Sequence, residues 1–121
     1  MKLKILNIED DPATSFFMAT LLKENYEVIN QENGLDALLW LKEGNIPSVI
    51  IADLNMPRMD GYEFIARIKS DHKYSKIPLV IVSGEASPVI KSKCLKAGAN
   101  QYITKPFEKE EIYTAIKSLV N

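Results

Sequence analysis

The sequence predicts an α/β fold, a doubly wound parallel sheet with helices on both faces, in one domain. Three observations carry this reading. Several apolar runs are continuous rather than alternating, as strands covered on both faces require. Between them lie stretches with apolar residues at helical spacing. Strand and helix then alternate about five times over 121 residues, which right-handed crossovers between parallel strands accommodate.

The elements follow in order. A first strand is placed at Leu3 to Ile8. Asp11 then offers an N-cap carboxylate and Pro12 a first helical residue. Phe17, Met18, Leu21 and Leu22 form the apolar stripe of that helix, with Phe16 offset toward solvent. A short strand near Tyr26 to Ile29 leads to a second helix from near Gly34, which puts Ala37, Leu38 and Leu41 on one face and stops at Gly44. Leu35 and Leu39 lie off that face, a second and weaker candidate contact patch, with Trp40 at its margin. The third strand covers Ser48 to Ala52 and the third helix about Gly61 to Ser70, with Gly61 read as serving a turn. The fourth strand covers Pro78 to Val82, and Ser87 before Pro88 starts a helix reaching Ala97 before Gly98. Cys94 packs on it as a small hydrophobe. A strand near Tyr102 to Thr104 and a helix from Glu108 to the end complete the chain.

Composition narrows the function. Fifteen Lys and Arg against 16 Asp and Glu give a net charge of −1, which argues against a broad basic face for nucleic acid. A single cysteine excludes an intrachain disulfide and fits a reducing compartment. No apolar run reaches the length of a membrane span, and the first residues meet acid too early for a signal peptide. A cytoplasmic location is expected.

Candidate chemistry sits at the carboxyl ends of the strands. Glu9 and Asp10 follow the first, Asp53 the third, Ser83 the fourth and Lys105 the fifth. In an open parallel sheet these ends share one edge, where ligands bind beside the reversal of strand order. Carboxylates about 5 Å apart destabilise one another by a few kcal/mol at an effective dielectric near 20, unless they protonate or bind a cation. Magnesium suits such a site, taking one or two carboxylates, waters and a phosphate oxygen. Calcium requires more ligands than the sequence offers, and zinc is disfavoured because the only histidine, His72, falls in a distant loop. With a metal screening it, Asp53 is a candidate nucleophile toward a phosphoryl group, with Lys105 stabilising the phosphoryl oxygens and Ser83 hydrogen-bonding one of them.

These residues resemble the receiver domains of two-component response regulators, in a chemotaxis-regulator-like form. The segments ILNIEDD, DLNMPRMDGYEF, IVSGEA and AGANQYITKPF occur in that order and span the chain. Asp10 to Asp53 is 43 residues, Asp53 to Ser83 is 30 and Ser83 to Lys105 is 22. The resemblance implies a flavodoxin-like three-layer sandwich with strand order 2-1-3-4-5 over residues 1–121. It implies Asp53 as phosphoacceptor, Asp10 binding Mg2+ directly, Glu9 acting through water and Asn55 offering its backbone carbonyl, with Mn2+ as a substitute metal. It also implies a cis Lys105-Pro106 bond aiming the lysine across the site. The phosphodonor it implies is a histidine kinase or a histidine phosphotransfer protein. By the same resemblance Asn55 and Glu85 occupy positions that modulate phosphoryl lifetime in the family, and Ser83 and Tyr102 those of its switch, which alters the surface of the fourth helix, fifth strand and fifth helix. Ser83 stands where a threonine would be larger but keeps the hydroxyl.

Phe16 and Phe107 border this edge and are expected to dock the kinase or phosphotransfer partner. The output partner is unspecified, and the expected state is a monomer or weak dimer. The natural start at Met1 favours a stand-alone or N-terminal receiver that regulates rather than acting as a metabolic enzyme. Three rival readings share parts of this pattern. A phosphatase with an aspartyl intermediate expects a D-x-D pair after the first strand, where Glu9 and Asp11 stand. A flavin domain is disfavoured by the acids there, which repel the cofactor phosphate. The third is a pseudo-receiver that binds partners without phosphate, against which the complete set of site residues speaks.

Overall fold

The computed structural model describes residues 2–120, so the chain ends included in the domain and fifth-helix expectations lie outside it. The elements are β1 (Leu3–Ile8), α1 (Pro12–Leu22), β2 (Tyr26–Gln31), α2 (Gly34–Lys42), β3 (Val49–Ala52), α3 (Gly61–Lys69), β4 (Leu79–Ser83), α4 (Pro88–Ala97), β5 (Gln101–Thr104) and α5 (Lys109–Val120). All strand pairs are parallel, in the order β2-β1-β3-β4-β5. The predicted fold and strand order both hold. The order reverses between β1 and β3, so the loops after these two strands flank the switch point.

The continuous apolar strands have a direct explanation. Successive side chains point to opposite faces, so Leu6, Ile50 and Ile81 join the core under α2, α3 and α4. Their neighbours Ile5, Ile51 and Val82 join the second core under α1 and α5. The accessible surface is 6649 Å², close to the roughly 6,600 Å² that mass scaling gives for a chain of this size.

Local signals place the helix starts. Asp11, Asn33 and Asp60 each accept a bond from the amide three residues on, at 2.9 Å. Ser87 departs from the expectation, because it holds the N-cap position of α4 but makes no side-chain capping bond. Gly98 ends α4 with φ of 126° and Gly44 follows α2 with φ of 104°, both in the region that favours glycine.

Other expectations are corrected. β2 runs two residues past Ile29, because Asn30 and Gln31 pair with Asn7 and Ile8 and the Glu9 amide donates to the Gln31 carbonyl at 3.0 Å. Phe17 is not core: Met18 and Leu22 face the sheet, leaving Phe17 52% exposed and tilted against Phe107 at 6.1 Å between centroids. Gly61 serves a close approach rather than a turn. It is the first residue of α3, its amide donates to the Leu54 carbonyl at 2.7 Å, and a Cβ there would lie 2.8 Å from Leu54 Cα.

Candidate functional site

The ends of β1, β3 and β5 bring charge to one point. Lys105 Nζ donates to Glu9 Oε1 at 3.1 Å and to Asp53 Oδ2 at 3.3 Å, joining residues 96 and 52 positions apart. Glu9, Asp10 and Asp53 each present a carboxylate oxygen within 4.8 Å of the others. Carboxylates thus outnumber the ammonium, and the excess negative charge suits a divalent cation. The donor set is all oxygen, as a hard cation requires.

Backbone amides orient two of these acids. Asp53 Oδ1 accepts from the Leu54 amide at 2.7 Å and weakly from that of Asn55 at 3.4 Å, so Oδ2 is left to face the lysine. Glu9 Oε2 accepts from the Asp11 amide at 3.2 Å. Asp11 is therefore both the α1 cap that the sequence indicates and a positioning residue that it does not. The Lys105-Pro106 bond is cis.

Electrostatics separate the pair. Burial, with Glu9 only 7% exposed, pushes its carboxyl above the ordinary range, and this outweighs the Asp11 amide and Lys105, which pull the other way. Burial alone lowers the Lys105 ammonium, but Asp53 and Glu9 overcome it and hold the lysine above its usual value. Asp11 is lowered by the Thr14 hydroxyl and amide.

The fourth strand contributes a relay of backbone contacts. Ser83 is fully buried, and its Oγ accepts from the Glu85 amide at 3.1 Å. The Tyr102 hydroxyl donates to the Glu85 carbonyl at 2.6 Å, with the ring turned inward and 8% exposed. The backbone of Glu85 thus links Ser83 to Tyr102, while its side chain and that of Asn55 lie in exposed positions. No spacing rule in the sequence announces this link.

The rim is aromatic. Phe16 is 73% exposed and lines a cleft of about 340 Å³ with Glu9, Asp10 and Glu32. Phe107 is half-buried against Phe17. The rim partner of Phe107 is therefore Phe17, which helical periodicity had assigned to the core. His72 lies in the α3–β4 loop beside Arg67 and Lys42, outside the acidic cluster.

Comparison with known proteins agrees with this geometry. The family model described as "Response regulator receiver domain" matches residues 5–117. Histidine kinase P4 of Formosa agariphila is 40% identical over 98% of this chain, which spans only 9% of that kinase. Protein PilG of Pseudomonas aeruginosa is 37% identical over 98% of this chain and 87% of its own length. Among solved structures, the receiver domain of sensor histidine kinase PA1611 from Pseudomonas aeruginosa, with magnesium coordinated in its active-site cleft, superposes with a TM-score of 0.89 at 25% identity, covering 99% of this chain and 98% of that one. No helix among the described residues is long and apolar enough to cross a membrane. With the strand order, the acidic edge and a family match over nearly its whole length, the chain belongs to the response regulator receiver domain family of two-component systems.

Proposed function

We propose that this chain accepts a phosphoryl group on Asp53 from a histidine kinase or histidine phosphotransfer protein, in a magnesium-dependent reaction, and signals through a changed surface of α4, β5 and α5. The supporting observation is the Lys105 ammonium set between Glu9 and Asp53 in a cluster whose carboxylate oxygens lie within 4.8 Å. Asp10 and Asp53 would hold Mg2+, or Mn2+ in its place, with Glu9 acting through water and Asn55 through its carbonyl. The ion would supply charge neutralisation to the acids and to the phosphoryl oxygens.

The chain's own groups do the rest. Asp53 Oδ2 attacks phosphorus, the bond from phosphorus to the donor imidazole nitrogen breaks, and the imidazole keeps the electron pair and takes up a proton. Lys105 stabilises charge on the transferred oxygens, and the Ser83 hydroxyl turns to donate to one of them. Hydrolysis by water at phosphorus returns the Asp53 carboxylate and inorganic phosphate, and Asn55 and Glu85, flanking the phosphoryl group, tune its rate.

The switch follows from the Glu85 bridge. If Ser83 is drawn toward the phosphoryl group, it releases the Glu85 amide, and the Glu85 carbonyl that holds Tyr102 shifts with it. Phosphate then favours one of two packings beneath α4. Phe16 and Phe107, with Phe17, dock the phosphodonor beside the acidic edge. In this reading residues 1–121 form one cytoplasmic regulatory unit.

The test is intact mass after incubation with magnesium and acetyl phosphate. One acid- and base-labile phosphoryl group should appear on the parent chain, and none in Asp53→Asn or when EDTA replaces magnesium. A chain that binds magnesium yet gains no adduct from several donors overturns the reading in favour of a receiver fold that works unmodified.

A further inference from the structure

The outward face of α2 carries an apolar strip. Leu35 and Leu39 stand one turn apart and are 36% and 56% exposed, whereas Ala37, Leu38 and Leu41 face the core. A single exposed leucine is ordinary, but two in successive turns present a continuous patch. At about 100° per residue, Lys42 lies about 20° outside Leu35 on one margin, and Glu43 about 40° outside Leu39 on the other.

Charge is sorted across this strip. On the side toward α3, Lys42 borders a cleft of about 420 Å³ together with Arg67 and His72. On the opposite side stand Asp36 and Glu43, and Asp36 is held by Asn33, whose Nδ2 donates to it at 3.2 Å. Lys42 and Glu43 are exposed, and among the described residues neither joins an ion pair.

We propose that the outward face of α2 is a self-association surface. Two copies pair about a two-fold axis parallel to their α2 helices, with Leu35 and Leu39 in the seam and each Lys42 against Glu43 of the other copy. The occupant is a second copy because the face complements itself. A two-fold axis along the helices lays the cationic margin of each copy on the acidic margin of the other. Turning one helix end for end would instead set cation on cation and acid on acid, so charge selects the parallel arrangement.

The arrangement leaves the rest of the molecule accessible. α2 runs from the end of β2 back to the start of β3, so a parallel pair keeps both acidic edges at one end. The surface of α4 and α5 around β5, at the other edge of the sheet, stays outside the seam. α2 has nine residues, a length of about 13 Å, and its seam is far smaller than the roughly 1,200–2,000 Å² of a stable interface. The dissociation constant is therefore of the order of 0.1–1 mM, a concentration that a tether or a shared partner supplies.

The test is sedimentation equilibrium of the full chain at low salt up to about 1 mM, the top of the range expected for so small a seam, with amide shifts followed by NMR on dilution. The average mass should rise toward that of a dimer, and the concentration-dependent shifts should centre on residues 34–43. Leu39→Lys should weaken association about tenfold or more, by putting two like charges in the seam. Lys42→Glu and Glu43→Lys should each weaken it about fivefold or more, because each turns two attractive contacts repulsive. Combining these two reversals should restore the parent's association, since every pair is then opposite in sign again. A chain that stays monomeric at the highest concentration, shifts centred on another element, or a combined variant as weak as the single ones overturns the proposal.

Discussion

Replacing Gly61 with alanine tests how α3 is set against the strand end that carries Asp53. The added Cβ would lie 2.8 Å from Leu54 Cα, 3.0 Å from the Asp53 carbonyl oxygen and 3.0 Å from Leu54 Cδ1. Two of these atoms are backbone, so no side-chain rotation relieves the crowding, and α3 must retreat from the loop its Gly61 amide now binds at 2.7 Å. Overpacking of this kind costs about 1–3 kcal/mol. Against it stands the better helix propensity of alanine, about 1 kcal/mol in a helix interior and only a fraction of that at this first helical position. The net loss is about 1–2 kcal/mol. With an unfolding entropy of about 2.1 cal/mol/K per residue, each kcal/mol shifts the melting temperature of a chain this size by about 4 °C. Gly61→Ala should therefore melt about 4–8 °C lower. Gly84→Ala is the control, because nothing lies within 4 Å of a Cβ there, and it should stay within about 0.5 kcal/mol. Thermal and urea unfolding followed by circular dichroism measure both. Equal stability of the two variants, or a gain from Gly61→Ala, would refute the close-approach argument.

Other outcomes follow from the same contacts. Asp11→Ala should lower the urea midpoint, because it removes a carboxylate that bonds an amide of the first turn, while Ser87→Ala, without a capping bond, should leave the midpoint nearly unchanged. In metal-free protein, the raised Lys105 gives a contribution that is complete below its unfolded value of 10.5 and disappears as pH rises through the folded one. The raised Glu9 acts in the acid range: stability falls as pH rises from 4.5 through its higher folded value, and Glu9→Gln should flatten that slope in denaturation curves. Magnesium at ten times its dissociation constant should add about 1.4 kcal/mol, a rise of about 5 °C, most of which Asp10→Asn or Asp53→Asn should abolish.

The parts of the fold legible in the sequence are those with strong local signals. β1 and α4 lie at the predicted residues, the one rich in Leu and Ile and the other set between Pro88 and Gly98. The last two residues of β2 are polar and carry no strand signal of their own, and they stay in the sheet through pairing with β1, a tertiary effect. Periodicity does not place Phe17, because an apolar residue at the edge of a stripe is core or rim according to what stands opposite, here Phe107. Gly61 looked like a turn residue because composition does not distinguish conformational freedom from lack of space. The acidic edge was legible because parallel topology gathers strand ends at one place, so Glu9, Asp10, Asp53 and Lys105 converge from distant positions. The Asp11 amide on Glu9 and the Glu85 bridge between Ser83 and Tyr102 were not, since they depend on backbone direction rather than residue type.

The central claim is that Asp53 is the residue that carries phosphate. Borohydride reduction of the protein after acetyl phosphate treatment, followed by peptide mass mapping, tests it most directly, because an aspartyl phosphate is reduced to homoserine and a free carboxylate is not. The account predicts homoserine at position 53 alone, dependent on magnesium. Homoserine at another acidic residue, or none in a chain shown to bind the metal, would contradict it.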